Sequence, residues 1–274
     1  MFVDAALNPT RITGQVKLHG PEAFEGMRKA GRVAAACLDM LVPFVKPGVT
    51  TARLDDLARQ FVFDAGALPA CLFYRGYRHT ICTSINHVVC HGIPGPRVLR
   101  EGDIVNIDVT VIVEGWHGDT SRMYAAGPVK KRDRLLMDVT YEAMMAGIAA
   151  IRPGATLGDL GYAIQRRAEA DRFSIVRDFC GHGVGRIFHD APNILHYGKP
   201  RDGLTLKPGM IFTVEPMVNA GGRDVKVLND GWTAVTKDKQ STAQFEHSVG
   251  VTETGVEIFT TSPSGLHQPH QTPA

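Results

Sequence analysis

The chain has 274 residues, with 30 Lys+Arg against 28 Asp+Glu and a formal net charge of +2. That balance supplies no broad cationic field for nucleic acid or an anionic membrane, and no stretch approaches the ~18 apolar residues of a membrane span. Five cysteines, Cys37, Cys71, Cys82, Cys90 and Cys180, are scattered and odd in number, with no CxxC pair. They read as neither a disulfide framework nor a structural zinc site, and they suit a reducing, cytoplasmic setting.

Residues 1–20 show no clear period and no basic-then-apolar leader, so they are expected to form an N-terminal arm. An amphipathic helical segment follows over 23–44, with Val33, Cys37 and Leu41 on one face at i, i+4, i+8. Pro47-Gly48 breaks it, and Thr50 is placed to N-cap a second helix over roughly 51–66. The chain then reaches Cys90-His91-Gly92 and a long alternating stretch.

That stretch, IVNIDVTVIVEGWHGDTSRMY from Ile104 to Tyr124, alternates, turns at Glu114-Gly115 and alternates again. A two-residue turn there sets Val113 opposite Trp116, Thr110 opposite Asp119 and Asp108 opposite Ser121. Residues two apart on a strand share a face, and so do directly paired residues. Asp108 and Asp119 are therefore diagonal neighbours, ~7–8 Å apart at the backbone and closer at their tips. A one-residue slip would undo this. Two carboxylates so placed either share a proton, with one pKa raised, or hold a cation.

The second half repeats the first. An amphipathic segment over 131–150 ends at Pro153-Gly154, Thr156 can cap a helix over roughly 157–172, and Gly181-His182-Gly183 precedes a run holding Glu215. Glu246 follows, in TAQFEHSVGV, much as Asp119 follows Asp108. The same order of features twice points to duplication, a pseudo-two-fold and a site between the halves. Glu215 and Glu246 are expected inside apolar strands. Any one of these residues alone is more often a turn, edge or core feature than a ligand. Together, four carboxylates and His182 offer a donor set that balances two divalent cations ~3.5–4 Å apart. Oxygen-rich ligation with one imidazole suits Mn²⁺, Fe²⁺ or Co²⁺ at least as well as Zn²⁺. Residues 21–261 are expected as one catalytic domain, with halves of about 21–125 and 126–261. The Ser/Pro/His/Gln-rich residues 262–274 are expected as a flexible tail.

At these residues the sequence resembles the type I methionine aminopeptidases of the pita-bread metallopeptidase superfamily, over roughly 20–261. The matching motifs are SINHVVCHGIP (84–94), GDIVNIDVTVIVEGWHGDTSRMY (102–124), RDFCGHGVGRIFHDAPNILHYG (177–198), PGMIFTVEPM (208–217) and DGWTAVTKDKQSTAQFEHSVGVT (230–252). The resemblance implies an α+β pita-bread fold, two α/β halves whose antiparallel sheet encloses a dinuclear metal site. It implies Asp108, Asp119, His182, Glu215 and Glu246 as metal ligands, with Asp119 and Glu246 bridging, His182 and Glu215 at one metal and Asp108 at the other. The metals would be two of Co, Mn, Fe, Zn or Ni, and a water or hydroxide bridging them would attack the first peptide bond. Glu215 would accept a proton, His189 would polarise the carbonyl and His91 would serve the leaving amine. Cys71, Tyr74, Tyr77, Cys82, Phe188 and Trp232 would form the methionine pocket, beside His91 and His189. The implied substrate is the N-terminus of a nascent polypeptide with a small second residue. A monomer is expected, with the ribosome as a candidate partner and no nucleic acid or membrane partner.

The sequence departs from that pattern in three places. His87 stands where an acidic residue is common, and Asp190-Ala191 where Glu-Glu is common. No Cys/His-rich segment precedes the catalytic region, so no zinc-knuckle arm is expected. The rival readings are a proline-specific peptidase of the same fold and a non-catalytic binding protein built on it. The first usually carries an extra N-terminal domain, and the second loses ligands that are all present here.

Overall fold

A computed structural model of the chain describes residues 1–7, 10–268 and 270–271. Four helices carry most of the α content: α1 (Pro21–Leu41), α2 (Thr51–Asp64), α3 (Lys131–Ala149) and α4 (Leu157–Ala170). The expected helix over 23–44 stops at Leu41 because Pro43 follows, and a 3₁₀ turn (Val42–Phe44) takes the chain round. Thr50 caps α2 by accepting from the Arg53 N–H at 3.2 Å. Thr156 caps α4 in a reciprocal box with Asp159: its hydroxyl accepts from the Asp159 N–H (3.2 Å), and Asp159 accepts from the Thr156 N–H (2.8 Å). None of the described helices is long and apolar enough to cross a membrane.

The strands that frame the site are β1 (Phe2–Asp4), β2 (Val16–Leu18), β3 (Ile81–Ile85), β4 (Asp103–Val113), β5 (Trp116–Ala126), β6 (Gly181–Gly183), β7 (Asp190–Ile194), β8 (Ile211–Val214), β9 (His247–Val251) and β10 (Val256–Ile258). The hairpin β4–β5 has the anticipated register, with Val113 opposite Trp116, Thr110 opposite Asp119 and Asp108 opposite Ser121. Its turn residues Glu114 (φ 51°) and Gly115 (φ 81°) both lie in the left-handed region, as a twist-matched two-residue turn requires. β3 pairs antiparallel with β4. In the second half, β7, β6, β8, β9 and β10 form a five-stranded antiparallel sheet in that order. The halves meet where Glu246 bridges to Ser121 of β5, its N–H donating to the Ser121 carbonyl at 3.1 Å.

Each half has its own apolar core. Leu38, Leu41, Leu54, Ile81 and Ile107 are fully buried in the first, and Met137, Met144, Leu160, Ile164 and Phe212 in the second. Helix α1 lies against β5 at backbone contact distance: a Cβ on Gly118 would stand 2.3 Å from the Ala30 carbonyl.

Two expectations change, and the N-terminal arm packs on the body. Glu215 and Glu246 do not lie inside strands. Each stands at a break: Glu215 between β8 and the strand Met217–Asn219, Glu246 between Thr242–Gln244 and β9. Pro216 has no N–H to continue a ladder, and the freed Glu215 N–H instead donates to His196 Nε2 at 3.1 Å. The N-terminal arm is not loose: β1 and β2 pair in parallel and Val16 enters the core. The presumed tail is tied down at its start. Ser262 is buried, its hydroxyl lies 2.8 Å from both Asp39 carboxylate oxygens, and the Ser264 N–H donates to Asp39 at 3.1 Å. Asp39 also pairs with buried Arg122 at 2.8 Å, which fixes the anchor. The backbone of His270–Gln271 pairs with β5, while residues 8, 9, 269 and 272–274 of the arm and tail lie outside the described residues.

Candidate active site

One cavity of about 630 Å³ is lined by every residue the sequence nominated: Asp108, Asp119, His182, Glu215 and Glu246 with His91, His189, Cys71, Tyr74, Tyr77, Cys82, Phe188 and Trp232. The hairpin supplies Asp108 and Asp119, β6 supplies His182, and the two strand breaks supply Glu215 and Glu246.

The donor atoms converge. Ligand atoms of Asp119, His182 and Glu246 lie within 4.8 Å of one another. His182 Nε2 is 3.5 Å from Asp119 Oδ2 and 3.6 Å from Glu215 Oε1. Burial lowers the His182 pKa to about 4, so the ring is neutral near pH 7 and these are not ion pairs. Its Nδ1 lies 3.2 Å from the Gly183 carbonyl, which places the ring proton there and a lone pair on Nε2. That lone pair faces the oxygens of two acidic groups, Asp119 and Glu215.

The electrostatics agree. Burial lifts the Asp108 pKa to about 7. It lifts Asp119, Glu215 and Glu246 well above the usual carboxylate range, and repulsion from neighbouring carboxylates adds to the effect. Asp108 Oδ1 is buried without a hydrogen-bond partner. Four acidic groups, one orphaned oxygen and one unprotonated imidazole are a donor set that fits divalent cations, with charge and hydrogen-bonding demand left unmet by the protein alone.

Several supports escaped the sequence reading. Thr110 donates to Asp119 Oδ1 at 2.7 Å, and Thr213 to Glu215 Oε1 at 2.7 Å. Gln244 donates to Glu215 Oε2 at 3.3 Å, and Ser248 to the Asp119 carbonyl at 2.7 Å. Thr110 could have been found, since the register puts it opposite Asp119. The others are brought in by long-range folding and leave no local pattern.

The two remaining histidines flank the cluster. His91 has φ 56°, a strained conformation for a non-glycine residue. Gly92 lets it be held there, because a Cβ on Gly92 would come within 2.2 Å of the Thr83 carbonyl. The His91 ring sits edge-on to Phe179 (5.7 Å) and Trp232 (6.1 Å), and burial lowers its pKa. His189 stacks near His182 with centroids 4.2 Å apart, and its Nδ1 lies 3.0 Å from the Tyr74 hydroxyl. Its pKa falls to about 3, through desolvation first and then the neighbouring cationic forms.

Beside the carboxylates lies an apolar recess. Cys71, Tyr77 and Cys82 are buried together, with Phe188 and Trp232 packed on them. Tyr77 meets Trp232 edge-on at 5.0 Å and donates its hydroxyl to the Ile81 carbonyl at 3.0 Å, so the wall is held from both sides. All five cysteines of the chain are free.

The sequence model of metallopeptidase family M24 matches residues 25–253. A methionine aminopeptidase of Rickettsia prowazekii is 57% identical over 93% of this chain and 98% of its own. Its crystal structure superposes with a TM-score of 0.89, over 90% of this chain and 100% of that one. The methionine aminopeptidase of Escherichia coli K12 is 48% identical over 89% of this chain and 94% of its own. That of Thermotoga maritima, 39% identical, has a TM-score of 0.88 over 90% of this chain and 99% of that structure. The chain has the pita-bread fold and belongs to metallopeptidase family M24, among its methionine aminopeptidases.

Proposed function

We propose that the chain removes the N-terminal methionine from polypeptides by hydrolysing their first peptide bond, using two divalent cations held by Asp108, Asp119, His182, Glu215 and Glu246. The observation that carries this reading is the junction of two surfaces in one cavity: the convergent donors, and an apolar recess of aromatic rings and thiols. Rings and thiols are fitting walls for a thioether side chain.

The cations, when bound, supply Lewis acidity and lower the pKa of water near them. The rest falls to the protein. Asp119 stands on β5 and Glu246 bridges to Ser121 of the same strand, and the two would serve both cations. Thr110 and Thr213 hold Asp119 and Glu215 in register by donating to one oxygen of each, which leaves the other oxygen to the cluster. Glu215, which lies beside His182 in the cluster, would accept the proton as the bond is attacked once the cations hold it ionised. His189 is neutral, and with Tyr74 donating to Nδ1 its Nε2 carries the proton. It donates to the substrate carbonyl oxygen as negative charge builds there. His91, which lines the same cavity beside Phe179 and Trp232, hydrogen-bonds the scissile amide nitrogen and favours amine departure. Phe188 and Trp232 exclude water from around the methionine side chain.

A small second residue, nascent chains as the natural substrate, a monomeric enzyme with the ribosome as a possible docking platform, and a reducing cytoplasm all belong to this reading. The five thiols, none of them in a disulfide, support the reducing setting. Hydrolysis of Met-Ala-Ser against Ala-Pro-Ala, after supplementation with Co²⁺, Mn²⁺, Fe²⁺, Zn²⁺ or Ni²⁺ in turn, tests it. Release of methionine from the first peptide is expected, and preferential cleavage of the second would establish the proline-specific alternative.

A further inference from the structure

The N-terminal arm carries a charge into the back wall of the site. Lys17 on β2 is 5% exposed and Asp190 at the start of β7 is 6% exposed, and Lys17 Nζ lies 2.9 Å from Asp190 Oδ2. The other oxygen, Oδ1, accepts from the Ala191 N–H at 2.9 Å. Lys17 is thus the contact that ties the Asp190 carboxylate to another part of the chain, since Ala191 is its own neighbour. Asp190 is the residue next to His189, and it pairs across the sheet with Gly183, the residue next to His182. One buried ion pair thus grips the backbone beside both histidines.

The arm is itself fixed. The His19 N–H donates to the Gly209 carbonyl at 2.8 Å, and a Cβ on Gly209 would stand 2.7 Å from the His19 carbonyl, so no side chain intervenes. The His19 ring packs beneath the segment that joins the two histidines, close enough that a Cβ on Gly185 would lie 3.2 Å from His19 Cε1. On its other side this segment is held by His117, whose N–H and Nδ1 both lie 2.9 Å from the Gly185 carbonyl, and whose ring stacks on Phe188 at 5.5 Å.

We propose that Lys17 is a positioning residue: through its buried pair with Asp190 it sets His189, which makes the N-terminal arm part of the catalytic architecture. The proposal rests on the peptidase reading above. Its physical basis is that truncating one member of a buried ion pair leaves an uncompensated charge, which the backbone of β7 must move to relieve. Displacements of ~1 Å at a reacting group cost large factors in rate.

The test compares wild type, Lys17→Met, His189→Ala and the double variant, all supplied with divalent metal. Turnover of Met-Ala-Ser is measured, together with amide hydrogen exchange over residues 183–194. Lys17→Met should lower kcat about tenfold or more with KM changed less than about threefold, and exchange over 183–194 should rise. Adding Lys17→Met to His189→Ala should change kcat by less than about twofold, because the group it positions is already gone. An equal loss in both backgrounds, or a Lys17→Met enzyme within about twofold of wild type, overturns the proposal. Should Lys17→Met not fold, Asp190→Asn carries the same comparison from the other side of the pair, leaving the Lys17 charge uncompensated. A wild type that fails to release methionine under any metal overturns the peptidase reading instead, and the exchange data then decide alone whether Lys17 orders the histidine segment.

Discussion

Replacing Asp119 by Asn tests the site at its centre. The amide keeps the shape and the oxygen that accepts from Thr110 at 2.7 Å, so the hairpin has no reason to rearrange. What changes is charge: four carboxylates facing two dications become three. A unit charge pair ~4 Å apart at an effective dielectric of ~20 is worth about 4 kcal/mol, and a loss of that size at the transition state is a rate drop of about 10³-fold. The metal-free protein should respond in the opposite sense. The Asp119 pKa in the folded state is raised above its ordinary value by burial and then by Asp108. A carboxylate raised in this way costs nothing below its unfolded pKa and destabilises progressively as pH rises towards its folded value. Asp119→Asn removes that cost, so the metal-free variant should melt above metal-free wild type, by a margin that grows from about pH 4 towards neutrality. Melting curves without metal across that range, metal analysis, and Met-Ala-Ser turnover complete the assay. Near-normal turnover at full metal occupancy, or a metal-free variant that melts below wild type at neutral pH, would refute the reasoning.

His91→Ala should leave metal content at the wild-type level while lowering turnover ~10²–10⁴-fold, and loss of metal would make His91 a ligand. Gly118→Ala drives a methyl into the α1 backbone, where 2.3 Å separates it from Ala30, and should cost about 3 kcal/mol or more, read as a fall of several degrees in Tm. Truncation after Ser262 removes the Ser264 and Leu266 amide bonds to Asp39 and Ser262 while sparing the cavity. It should lower Tm by a few degrees, for ~1–2 kcal/mol, with kcat unchanged. A truncated enzyme that needs much more metal for full activity would assign the tail a metal-gathering role.

The hairpin was legible because a period of two, a Glu-Gly turn and one buried face suggest the register that β4 and β5 adopt, which sets Asp108 and Asp119 on a diagonal. The caps Thr50 and Thr156 were legible because their signals are local. Glu215 was misplaced within a strand although Pro216 was in view. The apolar run on both sides outweighed the missing N–H, and the rescue by His196, nineteen residues away, has no sequence signature. The arm and the Ser262 anchor were illegible for a related reason. Their contacts, Lys17 to Asp190 and Ser262 to Asp39, join residues 173 and 223 positions apart, and each partner alone is an ordinary polar residue. The hydroxyls of Thr213 and Ser248 escaped in the same way.

The donor cluster is assembled from both halves: Asp108 and Asp119 come from the hairpin, while His182, Glu215 and Glu246 come later, Glu246 across the bridge to Ser121. This imposes an order in time. During synthesis the first two carboxylates emerge long before their partners, and on their own they form only a weak, open site. The set closes only when Glu246 arrives, after both His182 and Glu215. On the reading proposed above, capture of the cations would wait for Glu246 and would report that the second half has docked in register on the first.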